Sequence, residues 1–207
     1  MPPPPGDSAL IQIVDASLAE AAHRAGTWLV CHPGCTQCCY GAFSINALDA
    51  ERLRTGMKAL RAADPSAAQA VEDRARVWLA TYSADFPGDP GTGTLGTTEE
   101  DQERFEEFAN DAPCPALDPA TGLCAVYEWR PMTCRVFGPP VRMAAADGPN
   151  ENAEALGHCE LCFINAMPAE VAACEMHIPH QLEATLLDEI QDNSETVVAF
   201  TLFESGV

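Results

Sequence analysis

The stretch "CHPGCTQCC", residues 31–39, places four sulfurs within nine positions. Cys35 and Cys38 stand two residues apart, the spacing with which many zinc and iron–sulfur sites grip one metal or one corner of a cluster. Cys38 and Cys39 are adjacent, and in extended backbone their side chains point to opposite sides. Cys39 is therefore expected to address a second metal or the far side of a polynuclear centre, and Cys31 adds a fourth donor. The remaining cysteines are Cys114, Cys124, Cys134, Cys159, Cys162 and Cys174. Closing long loops costs entropy that grows slowly with length, so the cysteines on either side of the intervening sequence are expected to meet in space.

The chain has 207 residues, 47% of them hydrophobic, enough to bury a core without metal or disulfide staples. Its 17 prolines and 14 glycines imply long irregular connections. With 31 acidic residues against 11 basic ones the formal charge is −20, a field that repels phosphate backbones and anionic lipid. Neither nucleic acid nor a bare membrane is thus an expected partner. The longest apolar runs, such as residues 196–203, are too short to span a bilayer. The opening "MPPPPGDSAL" has neither a basic flank nor a continuous apolar stretch and reads as a stiff tail, not a secretory signal. A cytoplasmic location follows as the expectation. Ten cysteines would stay reduced there, which favours metal or redox chemistry over a disulfide framework.

Helical periodicity predicts a first helix from Ser8, as capping residue, to near Gly26. Two more are expected across residues 44–66 and 66–86, separated by the breaker Asp64-Pro65. Leu48, Leu53, Met57 and Leu60 form one apolar stripe, and Val71, Ala75, Trp78, Leu79 and Tyr82 the other. Gly91, Gly93 and Gly96 make a GxGxxG, but no buried strand precedes them, so the dinucleotide reading fails and a loop is expected. Thr98 with Asp101, or Thr97 with Glu100, forms a capping box that opens an acidic helix reaching Asn110. Residues 112–143 read as irregular, with short turns around Val126–Glu128, and residues 145–158 read as another loop. The last predicted helix covers Gln181 to Asp192.

The fold class expected is mainly α, with helices around an irregular, cysteine-rich metal-binding core and little or no β-sheet. It is read as a single domain, 1–207, with the metal-binding core at 30–43 plus 112–166, a helical insertion at 45–111 and a C-terminal helical segment at 180–207. Three of the eleven basic residues, Arg130, Arg135 and Arg142, crowd around Cys134. A tetrathiolate zinc or iron–sulfur centre is anionic, so Arg130 or Arg135 is expected beside the sulfurs as a cofactor-binding cation. The competing assignment is an ordinary ion pair such as Glu128 with Arg130. His32 and His158 flank cysteines and are candidate outer donors or a fourth ligand, whereas His177 and His180 are split by Pro179 and lack a third ligand.

"CHPGCTQCC", then "CPALDPATGLCAVYEWRPMTCRVF", then "CELCFINA" together resemble the YkgJ-type cysteine-cluster family, a family of zinc- or iron-chelating domains. The matching positions are Cys31, Cys35, Cys38, Cys39, Cys114, Cys124, Cys134 and Cys162, with Leu117, Tyr127, Arg130 and Pro131 as framework. The resemblance implies that these eight cysteines are the metal ligands. Cys159 and Cys174 depart from the pattern; Cys159 stands at chelating distance in sequence from Cys162, and Cys174 lies in an apolar stretch typical of a buried thiol. A flagellin lysine N-methylase resembles the pattern too, although no adenosylmethionine site is recognisable here.

The function expected is a cysteine-rich metalloprotein holding an iron–sulfur cluster, such as 4Fe-4S, or iron or zinc, in a redox, metal-handling or accessory role, possessing metal ions and a protein or redox partner as ligands. The alternatives are a cluster-dependent modifying enzyme and a structural-zinc interaction module.

Overall fold

The computed structural model describes residues 4–142 and 156–203. In chain order the elements are α1 (Asp7–Ala25), β1 (Ser44–Asn46), α2 (Ala47–Ala63), α3 (Pro65–Tyr82), β2 (Gly88–Asp89), β3 (Thr94–Leu95), α4 (Glu99–Glu107), β4 (Leu117–Asp118) and β5 (Leu123–Cys124), followed by α5 (Met132–Val136), β6 (Val141–Arg142), β7 (Leu156–Gly157), α6 (Pro168–Ala173), α7 (His180–Ile190), β8 (Glu195–Val197) and α8 (Val198–Thr201). The chain is mainly α, and among the described residues the strands form only two-stranded ribbons. Packing divides it into two compact units, one of Pro33–Met132 with the chain from Leu187 onward, the other of Pro5–His32 and Thr133–Leu186.

In the first unit one residue makes the turn between α2 and α3. Asp64 closes α2 by donating its N–H to Leu60 O at 2.7 Å, and its carboxylate caps α3 by accepting from Ser66 N and Ala67 N at 3.1 and 3.0 Å. Pro65, which has no N–H to lose, supplies the first position of α3. The two apolar stripes then meet: Leu53 and Met57 of α2 and Val71 and Ala75 of α3 are buried together with Ile45, Val126, Val198 and Leu202. Each such large side chain contributes about 1.5–3 kcal/mol. Trp78, Phe86 and Phe108 form an adjoining aromatic cluster, with ring centroids 5.8 Å apart for Trp78–Phe108 and 5.7 Å for Phe86–Phe108.

Two features of this unit were not foreseen. β1 pairs with β8, Ile45 opposite Thr196, so the chain past Ile190 supplies a strand and the four-residue α8 where further helix was expected. The glycine-rich loop is a ribbon, β2–β3, and its turn Asp89-Pro90-Gly91-Thr92-Gly93 is built like Asp118-Pro119-Ala120-Thr121-Gly122 between β4 and β5. In each the aspartate accepts from the N–H two residues on, at 2.8 Å from Gly91 and 3.0 Å from Ala120, and from the threonine hydroxyl, at 3.0 and 2.7 Å. The closing glycine has φ of +74° or +71°, where a side chain is strained. The capping box at Thr98 and Asp101 is present as read.

In the second unit α1 buries Leu10, Val14, Ala21 and Ala25. Ser8 lies inside this helix and is not its cap; Gly6 occupies that position without a side-chain bond, two residues before the expected cap. α1 ends at Gly26, φ +51°. Arg135, 2% exposed, donates from one guanidinium nitrogen to both carboxylate oxygens of Asp15 in α1, at 2.7 and 2.8 Å, and Arg24 donates to Glu175 O at 2.7 Å. β6 pairs with β7, and Val141 bridges to Met176. Helix α5 arises within sequence read as irregular, and α6 in a stretch for which no element was predicted. Most of the loop expected at residues 145–158 lies outside the described residues, as do the first residues of the proline tail and the last four of the chain.

Candidate metal centre

In the first unit the backbone sews three cysteine-bearing segments together. Cys39 N donates to Thr36 O at 2.8 Å, closing a 3₁₀ turn over Gln37–Cys39. Cys39 O accepts from Cys114 N at 2.7 Å, Tyr40 bridges to Pro113, and Gly41 N donates to Ala112 O at 2.9 Å. Cys114 O in turn accepts from Leu117 N at 3.0 Å, and Leu117 pairs with Cys124 across β4–β5. A Cβ placed on Gly122 would lie 3.2 Å from Gly34 O and 3.5 Å from Thr36 Cγ2, so the turn of that ribbon packs directly on the segment that carries Cys35. Cys35, Cys38, Cys39, Cys114 and Cys124 thus share one framework.

The expected divergence of Cys38 and Cys39 does not occur. The reading assumed extended backbone, but a 3₁₀ turn sets successive side chains about 120° apart, as three residues per turn require. The Cys39 thiol hydrogen-bonds Cys38 and, with help from the Arg130 guanidinium, holds Cys38 down at about 6 against the opposing effect of burial. Burial pushes the Cys114 thiol up to about 12 and raises Cys124 as well; the two also repel one another's charge, as do Cys124 and Cys38. Arg130 is buried, stacks its guanidinium 4.0 Å over the Tyr127 ring and donates to Tyr127 O at 3.0 Å. It is anchored there from α2: Asp49, buried and paired with Arg52, accepts from Met132 N at 2.9 Å, two residues beyond Arg130. Several neighbouring thiols beside the buried Arg130 cannot all ionise at once. A soft metal cation that replaces the protons removes that conflict.

The second unit contains Cys31, Cys134, Cys159, Cys162 and Cys174. Cys31, four residues before Cys35, thus falls in a different unit from it. The Cys31 and Cys162 sulfurs are 3.8 Å apart. Cys159, Cys162 and Cys174 are buried with Ala25 and Phe163 in one cluster. Arg135 is engaged with Asp15, while Arg130 is the arginine that acts on Cys38 and Cys124. His158 Nδ1 lies 3.0 Å from Cys159 O, and its ring packs on Phe163 at 5.3 Å. His177 and His180 are exposed. None of the ten cysteines is in a disulfide. Among the described residues no three Cys, His, Asp or Glu side chains already surround one point. The thiols are neighbours through their backbones, and closing a ligand set requires rotation about χ1. An all-sulfur donor set of this kind fits zinc, iron or an iron–sulfur core and suits magnesium or calcium poorly.

The family model of CxxCxxCC, described as a "putative zinc- or iron-chelating domain", matches residues 30–162, well over half of the chain. The chain belongs to the CxxCxxCC family. No curated protein and no solved structure matches it. Chelation of zinc or iron by a cysteine-rich domain is therefore the activity this CxxCxxCC protein carries. Among the described residues no helix is long and apolar enough to cross a membrane. Cys159 lies outside the eight positions first assigned, and the signal that draws attention to it is the Cys-Glu-Leu-Cys spacing, reinforced by its burial beside Cys162.

Proposed function

We propose that this CxxCxxCC protein holds an iron–sulfur cluster, of the 4Fe-4S type, through thiolates of the first unit, in a redox, metal-handling or accessory role. The observation that carries the reading is the gathering of Cys38, Cys39, Cys114 and Cys124 on one hydrogen-bonded framework beside the buried Arg130. Cys35 is the fifth donor of that framework, and Cys31, Cys134 and Cys162 are assigned as ligands in the second unit. When bound, such a cluster supplies one-electron chemistry at a potential set by hydrogen bonds, charge and exposure. Arg130 offsets the negative charge of the thiolates, and the Tyr127 ring, 4.0 Å from the guanidinium carbon, helps to hold it in place. Ten thiols without a bridge suit a reducing compartment such as the cytoplasm. The acidic surface, −20 overall, favours a basic protein as redox partner over nucleic acid or lipid.

Protein purified without oxygen and analysed for iron, acid-labile sulfide and zinc tests this. Brown protein with iron and sulfide in equal amounts is the expected result. Colourless protein with stoichiometric zinc rejects the cluster and leaves the zinc reading, and protein that takes up neither metal rejects both.

A further inference from the structure

We propose that the second unit holds a metal centre of its own, in which Cys159 is a ligand together with Cys31 and Cys162. The inference rests on the thiolate-ligation reading above and extends it to a cysteine outside the eight-position pattern. Its first support is a distance. With metal–sulfur bonds of about 2.3 Å and tetrahedral angles, two thiolates on one zinc lie about 3.8 Å apart. Cys31 and Cys162, separated by 131 positions in the chain, have their sulfurs 3.8 Å apart.

The second support is the turn that follows. Cys162 N donates to Cys159 O at 2.9 Å, so the Cys-Glu-Leu-Cys segment is folded back on itself and its two cysteines start from neighbouring points of one tight turn. Phe163 and Asn165, immediately after it, have φ of +56° and +63°, a conformation that non-glycine residues rarely adopt. Such a turn persists only where its surroundings impose it. Here Phe163 N donates to Trp28 O at 3.0 Å, which ties the turn to the segment just before Cys31.

The third support is space. Gly138 is buried with φ of +126°, and a Cβ there would lie 3.2 Å from the Cys31 sulfur. The carbonyl of the same glycine accepts from Cys159 N at 3.2 Å. One residue without a side chain therefore receives Cys159 by its backbone and leaves room at the Cys31 sulfur. Cys159 and Cys162 are buried, at 3% and 1%, whereas Cys31 is exposed, so an ion reaches the set from the Cys31 side. Cys174 shares the buried cluster but has no cysteine at chelating spacing, and serves as the comparison.

The test uses the intact chain loaded without oxygen with cadmium-113 or zinc. In the wild type, a cadmium-113 resonance in the thiolate range is expected to couple to the Hβ protons of Cys31, Cys159 and Cys162. Cys159→Ser is expected to bind one metal equivalent fewer than wild type, Cys174→Ala the full complement, and Cys38→Ser is expected to keep the resonance coupled to Cys159. A wild-type resonance that couples to Cys38 or Cys124 protons while no resonance couples to Cys159 overturns this inference alone. Absence of any thiolate-range resonance overturns it together with the thiolate ligation on which it rests, whereas the cluster itself is decided by the iron and sulfide analysis. The wild-type couplings do not depend on the variants folding.

Discussion

Cys38 and Cys114 belong to one framework yet their protons are held in opposite ways. Cys38 titrates near 6 in place of its ordinary 9.0, so its contribution to stability is complete above pH 9 and is lost as pH falls through 6. Cys114 is moved to about 12, so its contribution as a neutral thiol is complete below pH 9 and is lost as pH rises through 12. At pH 7 a metal therefore finds Cys38 already ionised and must expel the protons of Cys114 and Cys124. Zinc added to apoprotein in weak buffer is expected to release protons, read with a pH indicator, and its apparent affinity is expected to rise between pH 6 and 9; proton-neutral loading contradicts the assignment. Arg130→Met removes the cation beside Cys38, and the alkylation midpoint of that thiol is expected to move upward. Cys124→Ser is expected to lower metal content and the thermal midpoint together, because ligation energy in such sites is folding energy. Cys174→Ala leaves metal content unchanged. The choice between Arg130 and Arg135 was not legible in sequence, where both flank Cys134 closely; Asp15, far away in the chain, claims Arg135.

Among the elements, α2 offers a case where two known effects oppose each other. Replacing an interior helical glycine by alanine ordinarily stabilises by about 1 kcal/mol. At Gly56 the new Cβ would lie 2.7 Å from Trp129 Cβ and Cγ, and overpacking of that kind costs about 1–3 kcal/mol. Gly56→Ala is thus expected to destabilise the protein by roughly 1 kcal/mol in urea unfolding, and to disturb Arg130 next to Trp129; a stabilised variant would show that the contact is soft. Gly122→Ala acts on the other side of the site. It forces a side chain into φ +71°, costing about 1–2 kcal/mol, and presses on Gly34, so metal affinity is expected to fall along with stability. Helices α2, α3, α4 and α7 were legible because each repeats an apolar or capping pattern over several turns. The ribbons were not, since strands of two or three residues are too short to show a period. For β2–β3 and β4–β5 the signal was the recurring Asp-Pro-x-Thr-Gly, a turn sequence whose aspartate and threonine hydrogen-bond and whose glycine takes a positive φ.

At the scale of the whole molecule the acidic excess is the strongest term not tied to any one contact. Like charges on a compact body repel, and salt screens them over about 10 Å at 0.1 M. The thermal midpoint of the apoprotein is therefore expected to rise between low salt and 0.5 M sodium chloride, measured by circular dichroism; a midpoint that falls would mean that ion pairs such as Asp15–Arg135 outweigh the net charge. A mainly α fold was legible from composition and periodicity. The partition of the cysteines between two units was not, because it depends on pairings such as β1 with β8 and α1 with Arg135 that join distant parts of the chain. The β1–β8 pairing also fixes an order of events on the ribosome. Every thiol of the first unit is translated before β8 and before the buried Val198 and Leu202 that complete its core. At about 5–20 residues per second the nascent chain spends several seconds with those sulfurs made and the last residues of their supporting core unmade. During that interval a metal ion would meet thiols whose supporting core is still incomplete.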